Sequence, residues 1–139
     1  MVFSKAVLIF EPIRYKILDL FIFFNLKPNH LTLTGGIICI SAGIAAGLGY
    51  YTISGIMFLF GSLLDAFDGE LARRIDQETK VGAFLDSLTD RLGEGALLLG
   101  VLYYESLKGD ELTAFIVALA LFSSLLVSYI RARVDSLGL

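Results

Sequence analysis

The chain has 139 residues, about one domain, with 56% hydrophobic residues, 18% charged residues and a mean hydropathy of +0.77. Soluble domains are nearer about 45–50% apolar and about 25% charged, so disorder is excluded, and a net charge of −3 argues against nucleic-acid binding, which needs a basic surface. Cys39 is alone, which excludes a disulfide scaffold, and one Cys with one His makes a poor zinc set.

Residues 2–25 mix Phe, Ile and Leu with Lys5, Glu11, Arg14, Lys16 and Asp19, a pattern that predicts an amphipathic helix lying in a membrane interface. Pro12 can kink or restart it. A cleaved signal peptide is not expected, because Glu11 interrupts the apolar core and no small-residue cleavage pattern follows. Residues 31–64 then pass 34 positions without an Asp, Glu, Lys or Arg, and residues 112–130 pass another 19. About 20 apolar residues cross a bilayer core. The first run is too long for one span and breaks at Gly49, Tyr50, Tyr51 and Thr52. Transmembrane helices are therefore predicted near 31–49, 53–75, 82–104 and 111–133. The fold class expected is an all-α, polytopic membrane helix bundle: an N-terminal interfacial amphipathic helix (residues 1–26) and a transmembrane domain of four helices (27–139). With a cytoplasmic N-terminus, ten Lys and Arg residues fall inside and only Lys108 outside. That bias predicts a multi-pass protein of the cell membrane with its N-terminus in the cytoplasm. Tyr50, Tyr51, Tyr103 and Tyr104 read as an aromatic belt at the outer helix ends, and Cys39 as core packing.

The chemistry concentrates in two segments. Asp65 and Asp68 are three apart and share a helix face; Asp86 and Asp90 are four apart and also share one. The short polar connection over 74–81 predicts that their two helices form an antiparallel pair, so that four carboxylates converge at the cytoplasmic surface. Such a group cannot stay ionised without cations. Oxygen ligands on rigid helices suit Mg²⁺ or Mn²⁺, and four carboxylates can hold two ions, an arrangement used in phosphoryl displacement. Gly69 and Ala72 leave room for close helix approach or for a ligand, and Arg73 can pair with a phosphate. Asp76, Glu78 and Lys80 read as a solvated loop, and Glu70, off the aspartate face, as a surface residue.

The run Asp65-x2-Asp68-Gly69-x2-Ala72-Arg73-x8-Gly82-x3-Asp86-x3-Asp90 resembles the signature of the CDP-alcohol phosphotransferases at every fixed position and spacing. Pro28-Asn29-His30-Leu31-Thr32-x2-Gly35 resembles that family's approach to its first transmembrane helix, and Ser128-Tyr129-Ile130-Arg131-Ala132-Arg133 the cytoplasmic end of its fourth. The resemblance implies an enzyme of phospholipid biosynthesis that moves a phosphatidyl or archaetidyl group from a CDP-lipid to an alcohol and releases CMP. It implies two ions, one held by Asp65, Asp68 and Asp86, the other by Asp65, Asp86 and Asp90, with Asp90 also the catalytic base. It assigns CDP-lipid contacts to Asn29, His30, Leu31, Thr32, Gly69, Ala72, Arg73 and Thr79. The segment from Thr79 to Arg91 looks most like the branch using inositol phosphate, which assigns acceptor contacts to Ser128, Arg131 and Arg133. Arginine forks suit a phosphate, although the same arginines would serve as headgroup anchors. His30 has no second His or Cys nearby and is not expected to bind metal; Glu94 receives no catalytic role.

Family members have six transmembrane helices, so the chain is expected to be incomplete at its C-terminus. Homodimers are common in the family, and a homodimer in membrane lipid is the expected assembly. Glycerol 3-phosphate or serine as acceptor is the alternative within the same chemistry. A divalent-cation transporter is the alternative of another class; its site should lie near the bilayer midplane, whereas these aspartates fall in the cytoplasmic third.

Overall fold

The computed structural model describes residues 2–138 and, within the first helix, the side chains of Pro12 and of residue 14 onward. The side chains of Lys5 and Glu11, on which part of the amphipathic pattern rests, lie outside the described residues. Among the described residues the elements are five α-helices: α1 (Val2–Phe23), α2 (Pro28–Gly47), α3 (Tyr51–Arg74), α4 (Lys80–Lys108) and α5 (Glu111–Leu137).

Local signals set the boundaries. Lys27 is extended ahead of Pro28, which starts α2 at a position where its missing N–H is harmless. Gly49, at φ 85°, turns the chain from α2 into α3. Thr79 caps α4 by accepting a hydrogen bond from the Gly82 N–H at 2.9 Å. Gly109 ends α4 in the left-handed region at φ 79°. Asp110 then caps α5, accepting from the Thr113 N–H at 3.1 Å and from its hydroxyl at 2.8 Å.

Helices α2, α3 and α5 are long and apolar enough to cross a membrane. Helix α4 covers the third predicted span, 82–104, and has the length, but Asp86, Asp90, Arg91, Glu94, Glu105 and Lys108 spread charge along it, so it is not apolar enough to count with the other three. Of these charged residues Glu105 is buried and Asp86, Arg91 and Glu94 are half-buried against the bundle, while Asp90 and Lys108 are exposed. Large apolar residues elsewhere, such as Ile37, Leu59, Leu99 and Phe122, are exposed on the bundle surface, where lipid is the compatible solvent.

The pairing of helices adds to one expectation. Helices α3 and α4 meet directly but sparsely, and α2 packs extensively against both. The reason is the small-residue content of α2. A Cβ on Gly43 would lie 2.4 Å from the Ala96 carbonyl oxygen of α4, and one on Gly61 of α3 would lie 2.6 Å from Cys39 Sγ of α2. Only glycine permits these approaches, which replace side-chain interdigitation by backbone contact. Cys39 is buried here as packing, as expected. Helix α5 packs on α4, and α1 touches α3 near its C-terminal end. There Leu18, Leu31 and Leu71 form a buried cluster, with Phe21, Leu64, Phe67 and Ile75 around it.

Candidate metal centre and nucleotide cavity

The two halves of the motif meet because α2 holds α3 and α4 at a fixed separation. Asp65, Asp68 and Asp86 each present a carboxylate oxygen within 4.8 Å of the others. Asp68 is 4% exposed. The hydroxyl of Thr32, from α2, donates to the Asp68 carboxylate and also approaches the Pro28 carbonyl at 3.2 Å. No Lys or Arg pairs with any of the three acids among the described residues. Three carboxylates at this spacing, one of them buried and neutralised by no cation, fit a divalent-metal site by donor type and charge.

Asp90 lies one turn beyond Asp86 and is not a member of that three-acid set. Its side chain is 56% exposed and its carboxylate lies 3.3 Å from Arg91 Nη2. It joins Asp65 in lining a narrow cleft between α2, α3 and α4. Arg91 in turn pairs with Glu94 and donates to Ser124 Oγ of α5 at 3.2 Å.

Beside the three acids lies a cavity of about 200 Å³, bordered by Asp68 and Asp86. Six of the residues assigned to CDP-lipid line it: Asn29, Thr32, Gly69, Ala72, Arg73 and Thr79. Gly69 differs from the glycines of the helix contacts. A Cβ there would meet only Arg73 Nη1, at 3.8 Å. Nothing in the fold requires glycine at this position, so its empty space belongs to the cavity. Gly82 opens α4 at the rim, its Cβ direction crowded by Thr79 Oγ1 at 3.0 Å.

Two of the residues assigned with them are not on the cavity wall. His30 is exposed and absent from the lining, and Leu31 is buried in the leucine cluster, 5% exposed. Ser128, Arg131 and Arg133 stand on the last turns of α5, away from the cavity lining, with both arginines exposed. The lining also includes Gln77 and Glu78, which sequence reasoning assigned to a solvated loop or passed over. Their signal was positional: only a few residues link the two halves of the motif, so that link must border whatever lies between them. The link closes with the Gln77 N–H donating to the Ala72 carbonyl at 2.9 Å and Asp76 in the left-handed region at φ 53°. Glu70 points away from the cavity, paired with Arg14 at 3.1 Å.

Residues 25–138 match the family model described as CDP-alcohol phosphatidyltransferase. The archaetidylinositol phosphate synthase of Pyrococcus horikoshii is 35% identical over 82% of this chain and 58% of its own length. The phosphatidylinositol phosphate synthase of Mycobacterium tuberculosis, solved with CDP-DAG bound, superposes with a TM-score of 0.84 at 27% identity, covering 92% of this chain and 65% of that one. The same enzyme in complex with manganese and citrate gives 0.84 at 26% identity, covering 91% and 61%. The chain spans less than two-thirds of the length of the curated relatives it matches. A matched family model over residues 25–138, the complete acidic motif and the shared all-helical fold agree: the chain belongs to the CDP-alcohol phosphatidyltransferase family.

Proposed function

We propose that the chain carries the metal and CDP-lipid site of a transferase of phospholipid biosynthesis, which moves a phosphatidyl or archaetidyl group from a CDP-lipid to inositol phosphate and releases CMP. The observation that carries this reading is the junction of the three-acid cluster with a cavity whose wall holds Gly69 and Arg73. A diphosphate seated there has its charge beside the metal ligands and its nucleotide part against the open face of Gly69. A cation carrier has no use for such a cavity.

The assigned roles follow from position. Asp65, Asp68 and Asp86 hold one ion, and Asp65, Asp86 and Asp90 a second, either Mg²⁺ or Mn²⁺. Bound ions of this kind neutralise a diphosphate and stabilise the departing CMP. The Thr32 hydroxyl fixes one oxygen of Asp68 and leaves the other free to ligate. Arg73 offers a planar fork to a phosphate at the cavity wall. Asp90, with its exposed carboxylate, accepts the proton of the acceptor hydroxyl. The acceptor oxygen forms a bond to the lipid-bearing phosphorus as the bond from that phosphorus to CMP breaks. Ser128, Arg131 and Arg133 bind the acceptor phosphate. His30 and Leu31 act through the backbone that starts α2. The organisation proposed is an interfacial segment at 1–26 and a transmembrane domain at 27–139, in the cell membrane with the site facing the cytoplasm, as the ten-to-one Lys and Arg bias supports. Homodimerisation rests on the family resemblance alone.

The test is CMP release from a CDP-lipid by the purified chain in vesicles with Mn²⁺ or Mg²⁺. Inositol phosphate, glycerol 3-phosphate and serine are compared as acceptors. Release that depends on inositol phosphate supports the full reading, and Asp90→Asn should then abolish release while CDP-lipid binding persists. Release with another acceptor keeps the chemistry and replaces the substrate. Absence of release together with absence of metal and CDP-lipid binding overturns it.

A further inference from the structure

Helix α1 grips α3 at residues that interleave with the cavity wall. Arg14 Nε lies 3.1 Å from Glu70 Oε1, and Arg74 Nη2 lies 2.6 Å from Asp19 Oδ1. Arg74 also donates to the Tyr15 carbonyl at 3.4 Å, and its guanidinium sits 5.4 Å from the Tyr15 ring centre. Between the two ion pairs, Leu18 is fully buried against Leu31 and Leu71. Phe21 adds an edge-on contact with Phe67, ring centres 5.9 Å apart.

Along α3, then, Glu70, Leu71 and Arg74 face α1, while Asp68, Gly69, Ala72 and Arg73 face the cavity. Glu70, Leu71 and Arg74 are each the chain neighbour of a cavity residue. The same holds on α2, where Leu31 in the cluster precedes Thr32, the partner of Asp68. Helix ends fray unless they are tied down, and this end leads directly into the link with Gln77 and Glu78. On this side of α3, α1 shares the restraint with Leu31 of α2, which meets Leu18 and Leu71 in the same cluster.

We propose that α1 is a positioning strap: the Leu18 knob, flanked by the Arg14–Glu70 and Asp19–Arg74 pairs, holds the last two turns of α3 in register so that Gly69 and Arg73 stay seated for the CDP group. Leu18, Arg14 and Asp19 touch no substrate in this account; they act through α3. The buried leucine supplies most of the hold, since exposed ion pairs are weak; the pairs set rotation and register. Near its end α1 also leaves Leu20, Ile22 and Phe23 exposed, with Phe24 just beyond it.

The catalytic arm of the test rests on the proposed transfer reaction; the hydrogen-exchange arm does not. Leu18→Ala, Leu18→Met and Asp19→Ala are compared with the unchanged chain in vesicles. Amide exchange over residues 69–77 should quicken about tenfold in Leu18→Ala, corresponding to about 1.4 kcal/mol of local opening, and less in Asp19→Ala. It should be near normal in Leu18→Met, with residues 51–60 at the other end of α3 unmoved throughout. In the CMP-release assay the KM for CDP-lipid should rise about fivefold in Leu18→Ala while the acceptor KM stays constant, the mark of lost positioning at one subsite. Unchanged exchange over 69–77 in both Leu18→Ala and Asp19→Ala overturns the strap, as does a parallel rise of both KM values. If Leu18→Ala does not fold, Asp19→Ala decides alone by the same two readouts. If the unchanged chain releases no CMP, the transfer reading fails while the exchange data still judge the strap.

Discussion

Among the described residues each end of the bundle buries one carboxylate, and the two are handled in opposite ways. Asp68, at 4% exposure, receives a hydroxyl from Thr32 and lies with Asp65 and Asp86 beside a cavity. Glu105, at 6% exposure near the far end of α4, receives the Tyr51 hydroxyl and the Lys108 ammonium at 3.2 Å. Around Glu105 the Tyr51 and Tyr104 rings meet edge to face at 5.5 Å, and Lys108 lies 5.4 Å from the Tyr104 ring centre. Glu105 is neutralised within the protein and surrounded by packing; it is a clasp. Asp68 is left with other acids and open space, as the proposed metal site requires. Burial of an acid does not by itself mark function. An unbalanced charge beside a cavity does.

That contrast breaks most sharply under isosteric neutralisation. Asp68→Asn should lower CMP release by at least about 10³-fold, in the range that loss of a key electrostatic group produces, and should weaken Mn²⁺ binding. Its thermal midpoint without metal should hold or rise, because one member of a like-charged cluster is gone. Tyr51→Phe should do the reverse: KM and kcat unchanged, with stability lower by about 1.5–3 kcal/mol, the value of a hydrogen bond to a charged group. Activity and thermal melts on both variants check the pair. A metal-independent fall in stability for Asp68→Asn would mean that the site, too, is a structural clasp.

Glycines give a second, smaller version of the comparison. Gly43→Ala should destabilise the fold, because its Cβ would press into the Ala96 backbone at 2.4 Å; overpacking of this kind costs about 1–3 kcal/mol. Gly69→Ala meets only Arg73 Nη1 at 3.8 Å and should leave the melting temperature near that of the unchanged chain. Its loss should appear in the KM for CDP-lipid, by about tenfold, equivalent to about 1.4 kcal/mol. Melting curves and substrate titrations on the two variants separate a packing glycine from a ligand glycine.

The smallest effect lies at the α4–α5 turn. The Asp110 carboxyl is held below its usual range by the backbone N–H of Thr113, then by its hydroxyl. A depressed folded value stabilises the fold above the unfolded pKa of about 3.9 and ceases to do so as pH falls through the folded value. Asp110→Asn should therefore lie slightly below the unchanged chain in melting temperature at neutral pH, and the gap should close under acid. A gap that stays constant down to the lowest pH tested would show that the carboxylate charge has no part in capping α5.

Much of the site was legible beforehand because its spacing is a local, helical property. Asp65 and Asp68 at i and i+3, and Gly69, Ala72 and Arg73 just after them, share one side of α3 whatever surrounds it. Thr79 as a cap and Gly109 as a stop are also local chemistry. The reading fell short where a residue's role depends on its neighbours. Leu31 resembled a nucleotide contact by its place in the motif, yet its side chain completes a leucine cluster with Leu18 and Leu71. Glu78 is an exposed loop acid, as read, and also borders the cavity. Tyr51 was read only as a belt aromatic; its hydroxyl also reaches Glu105, 54 residues away in sequence.

By itself the sequence determined the fold class, the helices and the family: apolar runs of membrane length, caps and glycine stops, and carboxylates at helical spacing are all local features of the chain. Only the tertiary structure decided that α2 packs extensively against both α3 and α4, that three of the four aspartates cluster while Asp90 faces Arg91, and that α1 clamps the far side of the motif. Those outcomes depend on which small residues let two backbones approach and which side chains fill the space that remains. That is a property of surfaces brought together, and no period along one helix encodes it.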